Sequence, residues 1–138
     1  MRRTTRVPRA RVPRTRPQVV AHRGSSHDTA EHTLTAYVKA LDEGADALEC
    51  DVRLTADGHL VCVHDRDLRR TASTPGIVST MNLAELDELD FAAWKSPWSE
   101  LDDEAPERDP RDGKVLTLRK LLQMVADYDR HVELAIET

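Results

Sequence analysis

Between Val19 and Leu54 the chain spells strand, helix, strand within about 35 residues, an order that few folds accept. Val19-Val20-Ala21 is a short apolar run ending in His22-Arg23-Gly24, which predicts a buried strand that opens into a polar loop. Leu34, Tyr37, Val38 and Leu41 recur at i, i+3, i+4 and i+7, the apolar stripe of one helix, and Gly44 supplies its C′ stop. Ala47 to Leu54 predicts the second strand, running into the turn Ala56-Asp57-Gly58. Two strands joined through a helix lie parallel, and parallel pairing implies an α/β architecture.

A third strand, Leu60 to His64, follows at once. Residues 66 to 81 read as loop, with a turn at Pro75-Gly76. Asn82 with Glu85 makes a capping-box-like start to a short helix through Leu89. Residues 95 to 114 are acidic and hold three prolines, the composition of an exposed excursion. Thr117 then caps a helix whose stripe is Leu118, Leu121, Leu122 and Val125. Val132, Leu134 and Ile136 alternate with Glu133, Ala135 and Glu137, the period of a last strand.

Charge is unevenly placed. Residues 1–17 hold seven Arg and no acid, leaving 13 basic against 25 acidic residues, a net of −12 on the remainder. An acidic body of this kind argues against nucleic acid as a partner. The Arg-rich stretch, with Pro8, Pro13 and Pro17, reads as a disordered basic arm that touches anionic lipid or the acidic body weakly at most. It lacks the apolar core of a signal peptide, and no run is long enough for a membrane span, so a cytoplasmic address is expected. Cys50 and Cys62 sit in strand-like runs without CxxC spacing and read as small buried thiols. Trp94 and Trp98 read as a packing cluster under the excursion.

Chemistry concentrates at strand ends. Glu49 and Asp51 are two apart in a strand and therefore share a face. Inside an apolar strand, two such carboxylates either neutralise a hard cation such as Mg²⁺ or Ca²⁺, or face solvent on an edge strand. His22-Arg23-Gly24 offers a proton carrier, a guanidinium for phosphate oxygens, and a glycine that lets the backbone approach a ligand. His64-Asp65 closes the third strand, and Glu137 closes the fourth. Polar residues at successive strand ends match the place where α/β barrels keep their active sites. Glu31 opens the first helix, where the dipole favours a carboxylate in any case. His27, His32 and His59 read as solvated or loop-ordering residues.

Taken together, AHRGSS (21–26), EHTLTAY (31–37), GADALECDVRLTADGHLVCVHD (44–65), LRRT (68–71), VLTLRKLL (115–122) and ELAIET (133–138) resemble the glycerophosphodiester phosphodiesterase family. The resemblance implies a TIM (β/α)8 barrel with a small insertion after the third strand, here roughly residues 67–113. It implies hydrolysis of glycerophosphodiesters to an alcohol and sn-glycerol 3-phosphate with Mg²⁺ or Ca²⁺. By position it makes Glu49, Asp51 and Glu137 metal ligands, His22 and His64 the acid–base pair, and Arg23 the phosphate clamp. Glu31, from the family's P-E-N segment, joins the phosphate- and substrate-binding residues; that segment reads Ala30-Glu31-His32 here.

The family's E-x-K arrangement begins at Glu137, and the sequence ends at Thr138 before the lysine position. Residues 18–138 are therefore expected to form the N-terminal half of a barrel, about four βα units, with two sheet edges left unpaired. Three outcomes are compatible with that expectation. The chain is an active phosphodiesterase on a small-molecule substrate, it completes its site by self-association of half-barrels, or it is an inactive remnant or weak cation- and phosphate-binding module.

Overall fold

The fold is described from a computed structural model covering residues 16–95 and 110–138. Four strands and four helices appear in the order β1 (Val20–His22), α1 (Leu34–Asp42), β2 (Ala47–Leu54), β3 (Leu60–Cys62), α2 (Arg69–Ala72), α3 (Leu83–Asp87), α4 (Leu118–Asp127) and β4 (Glu133–Glu137). Short 3-10 turns occupy Val78–Thr80, Ala93–Lys95 and Pro110–Gly113.

β2 is the centre of the sheet. Its first half pairs in parallel with β1 on one side, His22 opposite Glu49, and with β4 on the other, Asp51 opposite Glu137. With neighbours on both edges of its first half and helices on one face, β2 is buried from Ala47 to Cys50 and at Val52, and it opens to solvent at Arg53 and Leu54. Leu48, Cys50 and Val52 face α1 and α4, packing with Tyr37, Leu41, Leu116 and Leu121. Alternation then sends Glu49 and Asp51 to the other face, the side a closed barrel would enclose.

The third predicted strand differs from expectation. β3 runs antiparallel to the outer half of β2, with Val52 opposite Cys62 and Leu54 opposite Leu60. The three-residue turn after Thr55 is too short for a parallel crossover, which needs a dozen residues or more, so a hairpin is the only closure. The parallel sheet thus has three strands, β1, β2 and β4, in place of about four βα units, and the insertion leaves from a hairpin.

That inserted segment carries a core of its own. Val61 on β3 and Val63 just beyond it pack with Leu68, Val78, Leu86, Phe91 and Val115. The stretch read as loop over 66–81 therefore contains α2 and a 3-10 turn. The capping box expected at Asn82 does not form; Asn82 makes no side-chain cap bond, and Leu83 N–H donates to Asp57 Oδ1 at 3.0 Å instead. Thr33 and Thr117 do cap α1 and α4, accepting from Ala36 N and Lys120 N at 3.2 Å each. Gly44, at φ +97°, ends α1 as expected. The helix stripes are narrower than predicted, since Leu34 and Leu122 are exposed while Ala36 and Ala40 are buried.

Cys50 and Cys62 are free, buried thiols. A hydrogen bond to Cys50, with burial, pushes the Cys62 thiol far up. Most of the basic arm and the heart of the excursion, with Trp98, lie outside the described residues. Arg16 is described, and its guanidinium grips Asp46 through two bonds of 2.9 and 2.7 Å, so the arm's last arginine rests on the acidic body.

Gly24 shows why the turn after β1 needs its glycine. Its φ is +88°, and a Cβ there would meet the Ala36 backbone carbon and Cβ at 2.8 Å. The close approach is to α1, where Ser25 N–H donates to Ala36 O. Gly24→Ala should therefore lower stability by about 2–4 kcal/mol, combining left-handed strain with overpacking. Urea unfolding would show this as a lower midpoint with an unchanged slope; an unchanged midpoint would contradict it.

Candidate active site

Three carboxylates converge at the carboxyl ends of the parallel strands. Ligand oxygens of Glu49, Asp51 and Glu137 lie within 4.8 Å of one another. Pair register produces this directly: Glu49 and Asp51 share the inner face of β2, and Glu137 sits opposite Asp51 on β4. Glu49 Oε1 and Asp51 Oδ2 are buried and accept no hydrogen bond. Packing three like charges together with unsatisfied buried oxygens is costly unless a cation lies between them. The all-oxygen donor set suits a hard dication such as Mg²⁺ or Ca²⁺ over zinc.

Arg23 stands beside this cluster. Its φ of +58° turns the chain so that its backbone N–H reaches both Glu49 O (3.1 Å) and Glu49 Oε2 (3.2 Å). Its side chain reaches Glu31 Oε2 through Nη1 at 3.0 Å. Asp51 Oδ2 lies 3.3 Å from Arg23 Nε and 3.3 Å from His32 Nε2, without hydrogen-bond geometry to either. Of these two, only the Arg23 guanidinium gives Asp51 a charge contact.

His22 and His64 both reach the rim and are exposed. His22 Nε2 is 3.7 Å from Glu49 Oε2, as its register opposite Glu49 requires. His64 arrives by another route. Because β3 folds back along β2, Val63 N–H donates to Asp51 O at 3.1 Å, and the next residue returns to the level of the carboxylates. His64 Nδ1 then meets Asp65 Oδ1 at 2.8 Å.

Glu31 is buried, and its carboxylate is bonded by two arginines. Arg23 Nη1 meets Oε2, while Arg70 donates through Nη1 to Oε1 and through Nη2 to Oε2 at 3.1 Å. Burial by itself would raise this carboxyl; hydrogen bonds from His32 and Arg70 and the charges of both arginines outweigh it and hold Glu31 well below the ordinary carboxylate range.

Two residues were not singled out by sequence reasoning. His32, expected to be solvated or loop-ordering, is 5% exposed, so only the second half of that reading stands. Its Nε2 accepts Asp51 N–H at 3.0 Å, and its Nδ1 faces Glu31 Oε2 at 3.6 Å. Arg70 lay within the LRRT run without a role; the nearest signal was its position six residues after His64. Trp94 packs against Arg70 and Lys95, whose charges lie 5.4 and 5.7 Å from its ring centre. Tyr37, read only as a stripe residue, also donates its hydroxyl to Glu49 O at 2.9 Å.

A parallel sheet with carboxylates clustered at its strand ends defines the active-site face of an α/β barrel. Residues 22–138 match the model of the glycerophosphoryl diester phosphodiesterase family, and the chain belongs to that family of enzymes. The "Probable glycerophosphodiester phosphodiesterase 1" of Mycobacterium tuberculosis (strain CDC 1551 / Oshkosh) is 53% identical over 122 residues, covering 88% of this chain and 42% of the relative. A solved Oleispira antarctica phosphodiesterase, in complex with the product sn-glycerol-3-phosphate, superposes with a TM-score of 0.71 at 32% identity over 88% of this chain and 44% of that one. A Thermotoga maritima glycerophosphodiester phosphodiesterase gives a TM-score of 0.64 at 30% identity over 91% and 46%. The chain thus spans under half the length of these relatives. No helix among the described residues is long and apolar enough to cross a membrane.

Proposed function

We propose that this chain supplies the first strands of a barrel that hydrolyses glycerophosphodiesters to an alcohol and sn-glycerol 3-phosphate with a bound divalent cation. The observation that carries the reading is the cluster of Glu49, Asp51 and Glu137, in which Glu49 and Asp51 keep buried unbonded oxygens, with His22 beside Glu49. Family membership supports it, as does the product named for the Oleispira antarctica enzyme.

Glu49, Asp51 and Glu137 would hold Mg²⁺ or Ca²⁺. When bound, the ion would supply positive charge for the phosphoryl oxygens of the reacting diester. Arg23 adds a guanidinium beside the same cluster, where a charged donor favours the negative charge that builds on the phosphoryl oxygens as the nucleophile adds. Glu31 acts through Arg23, fixing its guanidinium rather than offering a negative charge to phosphate. His22 and His64 divide the proton transfers. One takes the proton of the attacking hydroxyl as its oxygen bonds to phosphorus, and the other gives a proton to the departing alkoxide.

Release of sn-glycerol 3-phosphate from glycerophosphocholine, followed by a coupled dehydrogenase, tests the proposal on the 138-residue chain. Turnover should require the dication and stop in chelator. His22→Ala and His64→Ala should each lower it by roughly 10²–10⁴-fold. Cation binding without any turnover would defeat the enzyme reading and leave a cation- and phosphate-binding module in its place.

A further inference from the structure

Building on the proposed phosphodiesterase reading, we infer that Arg70 is a positioning residue that fixes the hydrogen-bonded state of His64 through Asp65 and ties it to Arg23 through Glu31. The geometry is a chain of alternating charge. His64 Nδ1 meets Asp65 Oδ1 at 2.8 Å. Arg70 clasps the same carboxylate with Nε to Oδ2 at 2.8 Å and Nη2 to Oδ1 at 3.2 Å. Its other edge clasps Glu31, with Nη1 to Oε1 and Nη2 to Oε2 at 3.1 Å. Glu31 in turn holds Arg23 Nη1 at 3.0 Å, and Arg23 reaches the metal-type carboxylates.

One guanidinium thus bridges two carboxylates with both of its edges. Only arginine has the planar fork to do this. The Trp94 ring, 5.4 Å from the guanidinium carbon, adds a wall of its own. Without the clasp, Asp65 is a half-buried side chain next to His64 in sequence, with no other bond among the described residues to fix its direction than the one to His64. With it, an ionised Asp65 can only accept, so the neutral imidazole must carry its proton on Nδ1 and keep a lone pair on Nε2. This is the opposite of the tautomer an unconstrained imidazole prefers. It leaves Nε2 as the atom available for proton transfer, the arrangement that orienting carboxylates give to working histidines elsewhere. Among the described residues, Arg53 also bonds His64, its Nε donating to the backbone carbonyl at 2.9 Å.

The test reads the tautomer directly and needs no turnover. In ¹⁵N-labelled chain above the histidine pKa, long-range ¹H–¹⁵N correlations of His64 should show a protonated Nδ1 and a bare Nε2. Arg70→Met should cut the Nδ1–H fraction to half or less. Arg70→Lys keeps a charge without the fork and should give an intermediate fraction; it decides the question if the Met variant does not fold. An Nδ1–H fraction equal to wild type in a folded Arg70 variant would overturn the assignment. Hydrolysis adds a separate reading: Arg70→Lys should lower kcat at least tenfold with little change in KM. A tautomer shift in a chain with no hydrolysis would uphold the role of Arg70 while removing the enzyme reading.

Discussion

Mg²⁺ or Ca²⁺ should raise the unfolding midpoint of the wild-type chain and leave Glu49→Gln unmoved. A ligand held only by the folded state contributes about 2.7 kcal/mol at 100 times its dissociation constant. The folded cluster holds three carboxylates within 4.8 Å, an arrangement the unfolded chain lacks. In chelator the variant should be at least as stable as wild type. Gln keeps an acceptor for the Arg23 N–H that reaches Glu49 Oε2, and it removes a buried charge whose other oxygen has no partner. Thermal unfolding in chelator and in saturating cation measures both statements. Equal cation shifts in wild type and Glu49→Gln would mean that the ions act on the acidic surface, and the cluster would lose its role.

Glu31→Gln should cost roughly 2–4 kcal/mol, the largest loss expected from any single charge removal in the described site. Arg23 and Arg70 both point donors at this carboxylate, and an amide would turn its NH₂ toward one of them. The Arg70 side chain is 40% exposed, so water recovers part of the loss and keeps it below a fully buried case. The same group sets a pH dependence. Glu31 is held below its ordinary pKa, so in acid the unfolded chain binds its proton first. Its contribution is complete above the usual carboxylate value of about 4.3 and drains away as pH falls through the lower folded value. Stability measured from neutral pH down into that range should fall more steeply for wild type than for Glu31→Gln. Parallel curves would show that Glu31 is not the group responsible.

Much of this was legible in the residues because it rests on short-range rules. Alternation along Ala47–Leu54 placed Glu49 and Asp51 on one face, and the Thr117 cap marked where α4 begins; α1 starts at Leu34 behind Thr33, three residues later than the Glu31 opening expected. The alternating Val132–Glu137 run placed Glu137 at a strand end, and pairing with β2 brought it to Asp51. The direction of β3 was not legible in its apolar pattern, which is the same whichever way a strand runs. The length of the Ala56-Asp57-Gly58 turn held that information, because it leaves no room for a crossover. His32 and Arg70 escaped for a different reason. Their partners, Asp51 N–H and the pair Glu31 and Asp65, are distant in sequence or on separate elements, and no periodicity encodes a bond between a helix and two loops. Burial of His32 against β2 and the clasp of Arg70 exist only once the inserted segment has folded over the strand ends.

The hairpin has one more consequence. The insertion departs just after Val63, bonded to Asp51, and rejoins the sheet where Cys62 N–H meets Leu116 O at 2.8 Å and Val61 bridges to Thr117. Its two ends are stapled to the same short strand. Everything between them is a closed detour, and lengthening such a detour twofold adds only about 0.6 kcal/mol of closure entropy. Closure entropy therefore sets little limit on the length of the detour; its packed core and the Trp94 wall on Arg70 set the tighter one. The detour is thus coupled to the histidine and arginine of the site through Arg70, while the strand pairing that aligns Glu49, Asp51 and Glu137 does not pass through it.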